Sequence, residues 1–197
     1  PYNDNLPFQM IVKDGVLVGT EGVPPSHVEI PAGVTQIGGS AFSGCDTLET
    51  VSLPEGVVSV GYAAFCDCAN LMEISLSSTL RTIDGYAFAN TLLESVVLPA
   101  SLQELGYCAF SYGSSLTAVY FKGNAPSEYV ATDVYCESPN VMTYVREGSV
   151  GWKETGSVEL PELWPVDGGD YARPIRLWAG EPAITHTVTF DLGAHLS

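Results

Sequence analysis

The hexapeptide IGGSAF at residues 37–42 recurs three more times, and its spacing decides the fold. The further copies are VGYAAF at residues 60–65, IDGYAF at 83–88 and LGYCAF at 105–110, spaced by 23, 23 and 22 residues. A fixed period of this length is typical of repeat proteins, in which each copy folds into one structural unit. The chain is therefore predicted to be a stack of similar units.

A short apolar segment accompanies each copy, and its apolar residues alternate as they do in a strand that buries one face. The phrase itself has apolar residues at i, i+4 and i+5, the pattern of a short helical or 3₁₀ turn. One unit of about 23 residues cannot bury these side chains alone, whereas stacked copies form a continuous core. We predict an α/β solenoid with a parallel β-ladder on its concave face and short helical or 3₁₀ turns opposite. The strand-like segments are VEIP (28–31), VSLP (51–54), ISLS (74–77), VVLP (96–99) and VYFK (119–122).

The motif IP.GVT.IG..AF.GC..L..V.LP, taken from residues 30–54, resembles the BspA-like leucine-rich repeats of bacterial surface proteins. The resemblance covers about residues 28–152 and implies a leucine-rich-repeat horseshoe. Ser77 stands where the proline is expected and Asp84 where the first glycine is expected, and the third repeat is one residue short. These departures concern the geometry of single loops and leave the expected fold unchanged.

Both ends of the array carry sequences that predict caps. The stretch MIVKDGVLV (10–18) is two apolar runs around Asp14-Gly15, which predicts a hairpin, so residues 1–27 are predicted to be an N-terminal hairpin cap. Near the other end, VMTYV (141–145) predicts one more strand, and EGSVGW (147–152) predicts a closing turn with Trp152 over the core. Similar endings, an FKGNAP stretch followed by a short strand and Gly-Trp, terminate arrays in this family. Residues 28–152 are thus predicted to form the solenoid with its C-terminal cap.

The chain changes character after Trp152. Residues 153–183 are rich in Pro and Gly and show no period, which predicts a linker or an irregular extension. Residues 184–197 then alternate apolar side chains at Val188, Phe190 and Leu192, as a strand does. We interpret them as the start of a possible following β-rich module, and we expect the chain to be part of something longer.

Charge and hydropathy exclude two classes of partner. The formal net charge is −16, and such a field repels nucleic-acid phosphates and anionic lipid. No stretch reaches 18 uninterrupted apolar residues, so this segment is not expected to insert into a membrane. The first residues have no basic region followed by an apolar one, so a signal peptide is absent or already removed. We expect a monomer without a nucleic-acid partner.

The five cysteines leave two interpretations. Cys45, Cys66 and Cys68 form a metal or redox site in one of them. In the other, the position three residues after Phe42 and Phe65 is a small buried slot, and a thiol fills it as a small hydrophobe. The second is favoured because thiols recur with the repeat and no histidine stands at ligand spacing. No metal and no cofactor are expected.

Catalytic motifs are not apparent in the sequence. None of the three histidines stands in a nucleophile motif, and phosphate-binding glycine loops are absent. Glu49, Glu73 and Glu94 occupy nearby strand positions, where paired acids would suit glycoside hydrolysis or, as we prefer, form a solvated acidic face. The chain is not expected to be an enzyme.

The strand residues that flank the core positions should point outward on the ladder. Their character changes from polar in the first repeats to apolar and aromatic at Val97 and Tyr120, and aromatic residues on a rigid ladder are typical of binding faces. The alternative for Tyr120 is that it packs under the C-terminal cap. A second set, Tyr62, Tyr86, Tyr107 and Tyr112, should lie on the outer side, as edge packing or as a site. The candidate binding residues are Thr50, Ser52, Glu73, Ser75, Ser95, Val97, Ala118 and Tyr120.

The resemblance implies a non-catalytic, adhesion-type module of a bacterial surface or secreted protein. Its partners would be a host or matrix protein or a surface glycan, and its location extracellular or at the cell surface. The alternative is a structural spacer that displays other domains away from the cell surface. A third possibility, an enzyme with an accessory repeat domain, requires catalytic residues outside this chain.

Overall fold

The repeated phrase forms one stacked turn per copy in the computed structural model of the chain. The structure describes residues 6–126, 128–130, 133–152, 163–164 and 173–178. The strands pair in parallel from one copy to the next, as predicted for a solenoid. The predicted module start at residues 184–197 lies outside the described residues, and the division of the chain at residues 27, 152 and 183 stays a prediction.

The predicted ladder consists of the alternating segments. Val51 and Leu53 are buried while Ser52 between them is half-exposed, so one face of each strand enters the core and the other faces outward. Parallel pairing is continuous except between β7 (Glu73–Ser75) and β9 (Ser95–Leu98), where the repeat is one residue short and Ile74 is only half-buried. The strands are β3 (His27–Glu29), β5 (Thr50–Ser52) and β7 (Glu73–Ser75), then β9 (Ser95–Leu98), β11 (Ala118–Phe121), β13 (Met142–Arg146) and β15 (Arg173–Trp178), with β14 (Leu163–Trp164) antiparallel to β15.

A second sheet runs through the first residue of each phrase and the residue before it. It has seven strands, and it begins with the N-terminal hairpin, whose turn at Asp14-Gly15 has φ values of 50° and 77°. The second hairpin strand pairs in parallel with the first phrase, so the hairpin lies directly against the first rung. The order is β1 (Gln9–Lys13), β2 (Val16–Glu21), β4 (Gln36–Ile37), β6 (Ser59–Val60), β8 (Thr82–Ile83), β10 (Glu104–Leu105) and β12 (Glu128–Val130).

The prediction of helical or 3₁₀ turns is wrong, because the described residues contain no helix of either kind. One residue of each phrase has a left-handed backbone, with φ between 52° and 56° at Ser40, Ala63, Tyr86 and Cys108. A second left-handed residue follows four positions later, for example Asp67 at φ 59°. A right-handed helix requires an unbroken series of negative φ values, so these residues force a series of tight turns.

Backbone hydrogen bonds in these turns alternate between one rung and the next. The Ala41 N–H donates to Gly38 O within its own turn at 3.3 Å, whereas the Phe42 N–H donates to Ala64 O of the following rung at 2.8 Å. The third rung repeats this alternation with Ala87 and Phe88. The turns therefore form a third hydrogen-bonded wall of the solenoid, and the architecture is β rather than α/β.

The phenylalanines of the four phrases form a stack along the core. Their centroids are 5.1, 5.4 and 5.4 Å apart from one ring to the next, and the ring planes are within 10° of parallel. All four side chains are at most 1% exposed. The stack consists of Phe42, Phe65, Phe88 and Phe110.

The stack of turns continues through a fifth, divergent rung that the sequence analysis missed. The Phe110 N–H donates to Val134 O at 3.0 Å, as the Phe88 N–H donates to Ala109 O, so Tyr135 takes the place of the phenylalanine. Tyr135 is fully buried. The predicted strand at 141–145 is confirmed as β13, and the indole of Trp152 is buried edge-on against Phe121, with centroids 4.7 Å apart. The ladder does not end there, because β15 pairs in parallel with β13 within the segment predicted to be a linker.

Candidate functional site

The outward side of β3, β5, β7, β9, β11, β13 and β15, here called the ladder face, carries all eight predicted binding residues. Strand pairing brings them together in two groups. Thr50 pairs with Glu73 and Ser52 with Ser75 in the first group. In the second, Ser95 is level with Ala118 and Val97 with Tyr120. The two groups are separated by the break in pairing between β7 and β9.

The N-terminal half of the ladder face, on β3, β5 and β7, carries polar side chains. Thr50, Ser52 and Glu73 are half-buried and Ser75 is exposed. A side-chain contact crosses two rungs where Nδ1 of His27 and Oγ1 of Thr50 lie 2.5 Å apart. Small hydroxyl side chains give little apolar area to a partner, so this half lacks an anchor of the kind that dominates binding energy.

The C-terminal half of the ladder face is aromatic. The ring of Tyr120 stacks on that of Tyr144, with centroids 4.7 Å apart and planes at 14°. Trp178 of β15 meets Tyr120 edge to face at 5.3 Å and 70°. Burial, followed by the neighbouring Tyr144, raises the pKa of Tyr120 above its ordinary value. Tyr120 was predicted either to lie on the outward ladder face or to pack under the C-terminal cap. It combines features of both, because it lies on the ladder face and is half-buried against Tyr144 and Trp178, which follow it in the chain.

Basic side chains border the aromatic cluster. The guanidinium carbon of Arg146 lies over the Trp178 ring, 5.1 Å from its centroid, in cation–π geometry. Arg176 is level with Tyr144 in the sheet and exposed, and its Nη1 donates to Ile175 O at 2.9 Å. We call Tyr120, Tyr144, Arg146, Arg176 and Trp178 the aromatic–arginine cluster.

The sequence analysis named one member of this cluster, Tyr120, and missed the other four. Tyr144 and Arg146 could have been identified from the sequence, because the strand at 141–145 was predicted and the same alternation makes both residues point outward. Trp178 and Arg176 lie on β15, for which no strand was predicted. Two predicted positions contribute little contact surface: Ala118 is 9% exposed, and Val97 is half-buried beside Tyr120.

The second tyrosine set forms its own row along the turns. Tyr62, Tyr86 and Tyr107 meet edge to face at 5.8 and 5.6 Å. Tyr62, Tyr107 and Tyr112 are 56%, 46% and 54% exposed, so these side chains lie on the outer side as predicted and present much of their surface to solvent.

The thiols fit the interpretation as slot fillers. Cys45 and Cys68 are buried, and Sγ of Cys68 donates to Phe42 O of the preceding rung at 3.1 Å. Ser138, in the same slot of the divergent rung, is also buried and donates to Phe110 O at 2.8 Å. A hydrogen bond to Cys45, together with burial, raises the pKa of the Cys68 thiol well above its ordinary value, so this thiol is protonated and a poor nucleophile or metal ligand.

The described residues offer no candidate for a metal site or a membrane span. Within them, no group of three or more His, Cys, Asp or Glu side chains could hold a metal ion. The described part of the chain also has no helix of the length and hydropathy that a membrane span requires.

Comparison with solved structures returns bacterial leucine-rich repeat proteins. The T. pallidum leucine-rich repeat protein TpLRR is 28% identical with a TM-score of 0.58, and the match covers 71% of this chain and 68% of that one. The pneumococcal vaccine antigen PcpA is 22% identical with a TM-score of 0.57 over 69% of this chain and 40% of that one. A leucine-rich repeat protein from Bacteroides ovatus is 22% identical with a TM-score of 0.52 over 61% and 33%. At these last two identities the likeness concerns the fold alone.

A search of curated proteins found no match to this chain. The family model for the BspA type leucine rich repeat region, in contrast, matches residues 23–140 in six copies. This match covers more than half of the chain, and it includes the divergent rung around Tyr135. The chain belongs to the BspA-type leucine-rich repeat family.

Proposed function

We propose that this chain is a non-catalytic binding module of a bacterial surface or secreted protein, and that it binds a protein or glycan on its ladder face. The observation that carries the proposal is the aromatic–arginine cluster, in which the ring of Tyr120 contacts those of Tyr144 and Trp178 on the next two strands of the sheet. Trp, Tyr and Arg are the residue types most enriched among those that dominate binding energy at protein interfaces.

The rigid ladder supports this role. Each strand of the cluster is hydrogen-bonded to its neighbours, and the opposite faces of β11 and β13 carry fully buried residues such as Val119 and Val145. Side chains held on such a scaffold lose little conformational entropy when a partner binds. The surface location and the adhesion role rest on membership of the BspA-type family.

A structural spacer is the second candidate function. It is supported by the polar N-terminal half of the ladder face, where Thr50, Ser52 and Ser75 offer no anchor. A spacer needs a stable stack and no partner, so deletion of the aromatic cluster would leave its function intact.

The experiment is a binding screen of the whole chain against immobilised matrix proteins, mucins and glycans. The test variant is Tyr144→Ala with Trp178→Ala, and the matched control is Tyr62→Ala with Tyr112→Ala, which removes aromatic side chains from the turns instead. All proteins are first checked for an unchanged folded state by circular dichroism.

A saturable hit that is lost in the test variant and kept in the control supports the binding module. A hit lost only in the control moves the site to the tyrosine row of the turns. The absence of any hit across the panel supports the spacer.

A further inference from the structure

The charge of the ladder face changes sign along the solenoid. The first strands contribute Glu29 and Glu73 and no Lys or Arg. The last strands, β11, β13 and β15, contain no Asp or Glu. The outward positions of these strands carry Arg146 and Arg176, while Lys122 follows β11 and Glu147 follows β13 directly.

Two arginines on strands without Asp or Glu contrast with the net charge of −16. They offer a local attraction to the carboxylates of a partner, and complementary charge of this kind favours one docking orientation. Arg146 and Arg176 stand on neighbouring strands beside the aromatic rings, so charge and apolar surface are available to the same segment of a partner.

The ring geometry favours a peptide over a sugar. A sugar ring binds by lying flat on an open aromatic face, whereas one face of Tyr120 is covered by Tyr144 at 4.7 Å and Trp178 packs against the same side chain. The Trp178 ring has Arg146 over it. Guanidinium groups stand beside these rings, of which that of Arg176 is exposed, and guanidinium pairs with carboxylates with high geometric specificity.

We infer that the aromatic–arginine cluster binds an acidic segment of a protein partner, rich in Asp or Glu. This inference rests on the proposed function and names the chemistry of its ligand. Arg176, which is exposed, and Arg146 would pair with the partner's carboxylates, while apolar side chains of the segment would contact the tyrosines and Trp178.

The test is fluorescence anisotropy of the whole chain with a short fluorescein-labelled peptide of alternating glutamate and leucine. The comparison peptide has glutamine in place of every glutamate. The variants are Arg146→Gln with Arg176→Gln, and Arg176→Gln alone because its side chain is exposed and its loss should not disturb folding. The matched control is Arg81→Gln, which removes the same charge at an exposed position outside the ladder strands.

We expect saturable binding of the glutamate peptide and at least about tenfold weaker binding of the glutamine peptide. The double variant should lose about tenfold or more in affinity, and Arg81→Gln less than about twofold. Raising the salt to about 1 M, where the Debye length is about 3 Å, should weaken the interaction strongly.

Absence of binding by the glutamate peptide, or equal binding of both peptides, overturns the inference. Binding of a uronate oligosaccharide that requires both arginines overturns it in favour of a glycan, and arginine-dependent self-association in sedimentation overturns it in favour of a second copy. A hit in the matrix-protein screen that requires Tyr144 and Trp178 but neither arginine overturns the inference and leaves the proposed function standing. Failure of the proposed function is separate, because it requires that no partner depends on those two aromatic residues.

Discussion

The ring of Phe65 stacks on that of Phe88 in the next rung, with centroids 5.4 Å apart and planes 5° from parallel. Phe65 also stacks on Phe42 on its other side, so both of its faces are in van der Waals contact with a ring of the same kind. Since it is fully buried, the Phe65→Ala substitution leaves a cavity between two rungs. We expect the free energy of unfolding to fall by about 3–5 kcal/mol, measured by urea denaturation.

Two controls separate this core effect from the loss of any aromatic ring. Tyr62→Ala, in the same repeat but 56% exposed, should cost less than about 1 kcal/mol. Tyr120→Ala should fall between the two, because that ring is half-buried and stacked on one side. Equal costs for Phe65 and Tyr120 would contradict the assignment of inward and outward strand positions.

The glycines of the phrase are explained by the close approach of neighbouring rungs. A Cβ at Gly106 would lie 2.3 Å from Gly85 N and 2.5 Å from the carbonyl carbon of Asp84. Gly106→Ala should therefore push two rungs apart and cost roughly 1–3 kcal/mol or more, measured by thermal and urea unfolding. The matched control is Gly19→Ala, where a Cβ meets nothing within 4 Å and stability should change little. Similar losses in both variants would contradict the explanation by rung spacing, because a Cβ at Gly19 has no neighbour to displace.

Most of the fold could be predicted because equivalent apolar residues of each repeat are buried in the same way. The apolar-x-apolar segments gave the ladder, and the recurring Phe gave the core stack. The turns could not be predicted as well, because residue types such as Ala63 and Tyr86 do not signal a left-handed backbone, yet their φ values are 52° and 56°. Neighbouring rungs hold these residues through backbone hydrogen bonds that no local pattern encodes.

The divergent rung and the last strand were missed for different reasons. In the divergent rung, Tyr135 replaces the phenylalanine and follows Phe110 by 25 residues, so the period breaks where the phrase also changes. The apolar spacing of Val130, Val134 and Tyr135 is the signal that could have identified it. The strand β15 carries Pro174 and lies outside the repeat period. Its pairing with β13 depends on tertiary packing, which no local sequence pattern predicts.

The thiol slot makes a prediction about which side chains it accepts. Cys68 donates to Phe42 O, and Ser138 in the same slot of the divergent rung makes the same bond to Phe110 O. Cys68→Ser should therefore change the free energy of unfolding by less than about 1.5 kcal/mol, because it keeps the donor and nearly keeps the volume. Cys68→Leu should cost about 1–3 kcal/mol by overpacking the slot. The interpretation fails if urea denaturation shows serine to be as disruptive as leucine.

The thiol of Cys66 links stability to alkaline pH. Burial, and next the carboxylate of Asp67, raise its pKa from 9.0 to about 11. Because the unfolded chain releases this proton first, stability is unaffected below about pH 9 and falls from there towards pH 11. Melting temperatures measured from neutral pH to about pH 11 should therefore decline less for Cys66→Ser than for the natural chain. The comparison is needed because Tyr86, Tyr107 and the other buried thiols also have raised pKa values and contribute to the decline in both proteins. Parallel pH profiles for the two proteins would show that Cys66 is not a source of the alkaline loss.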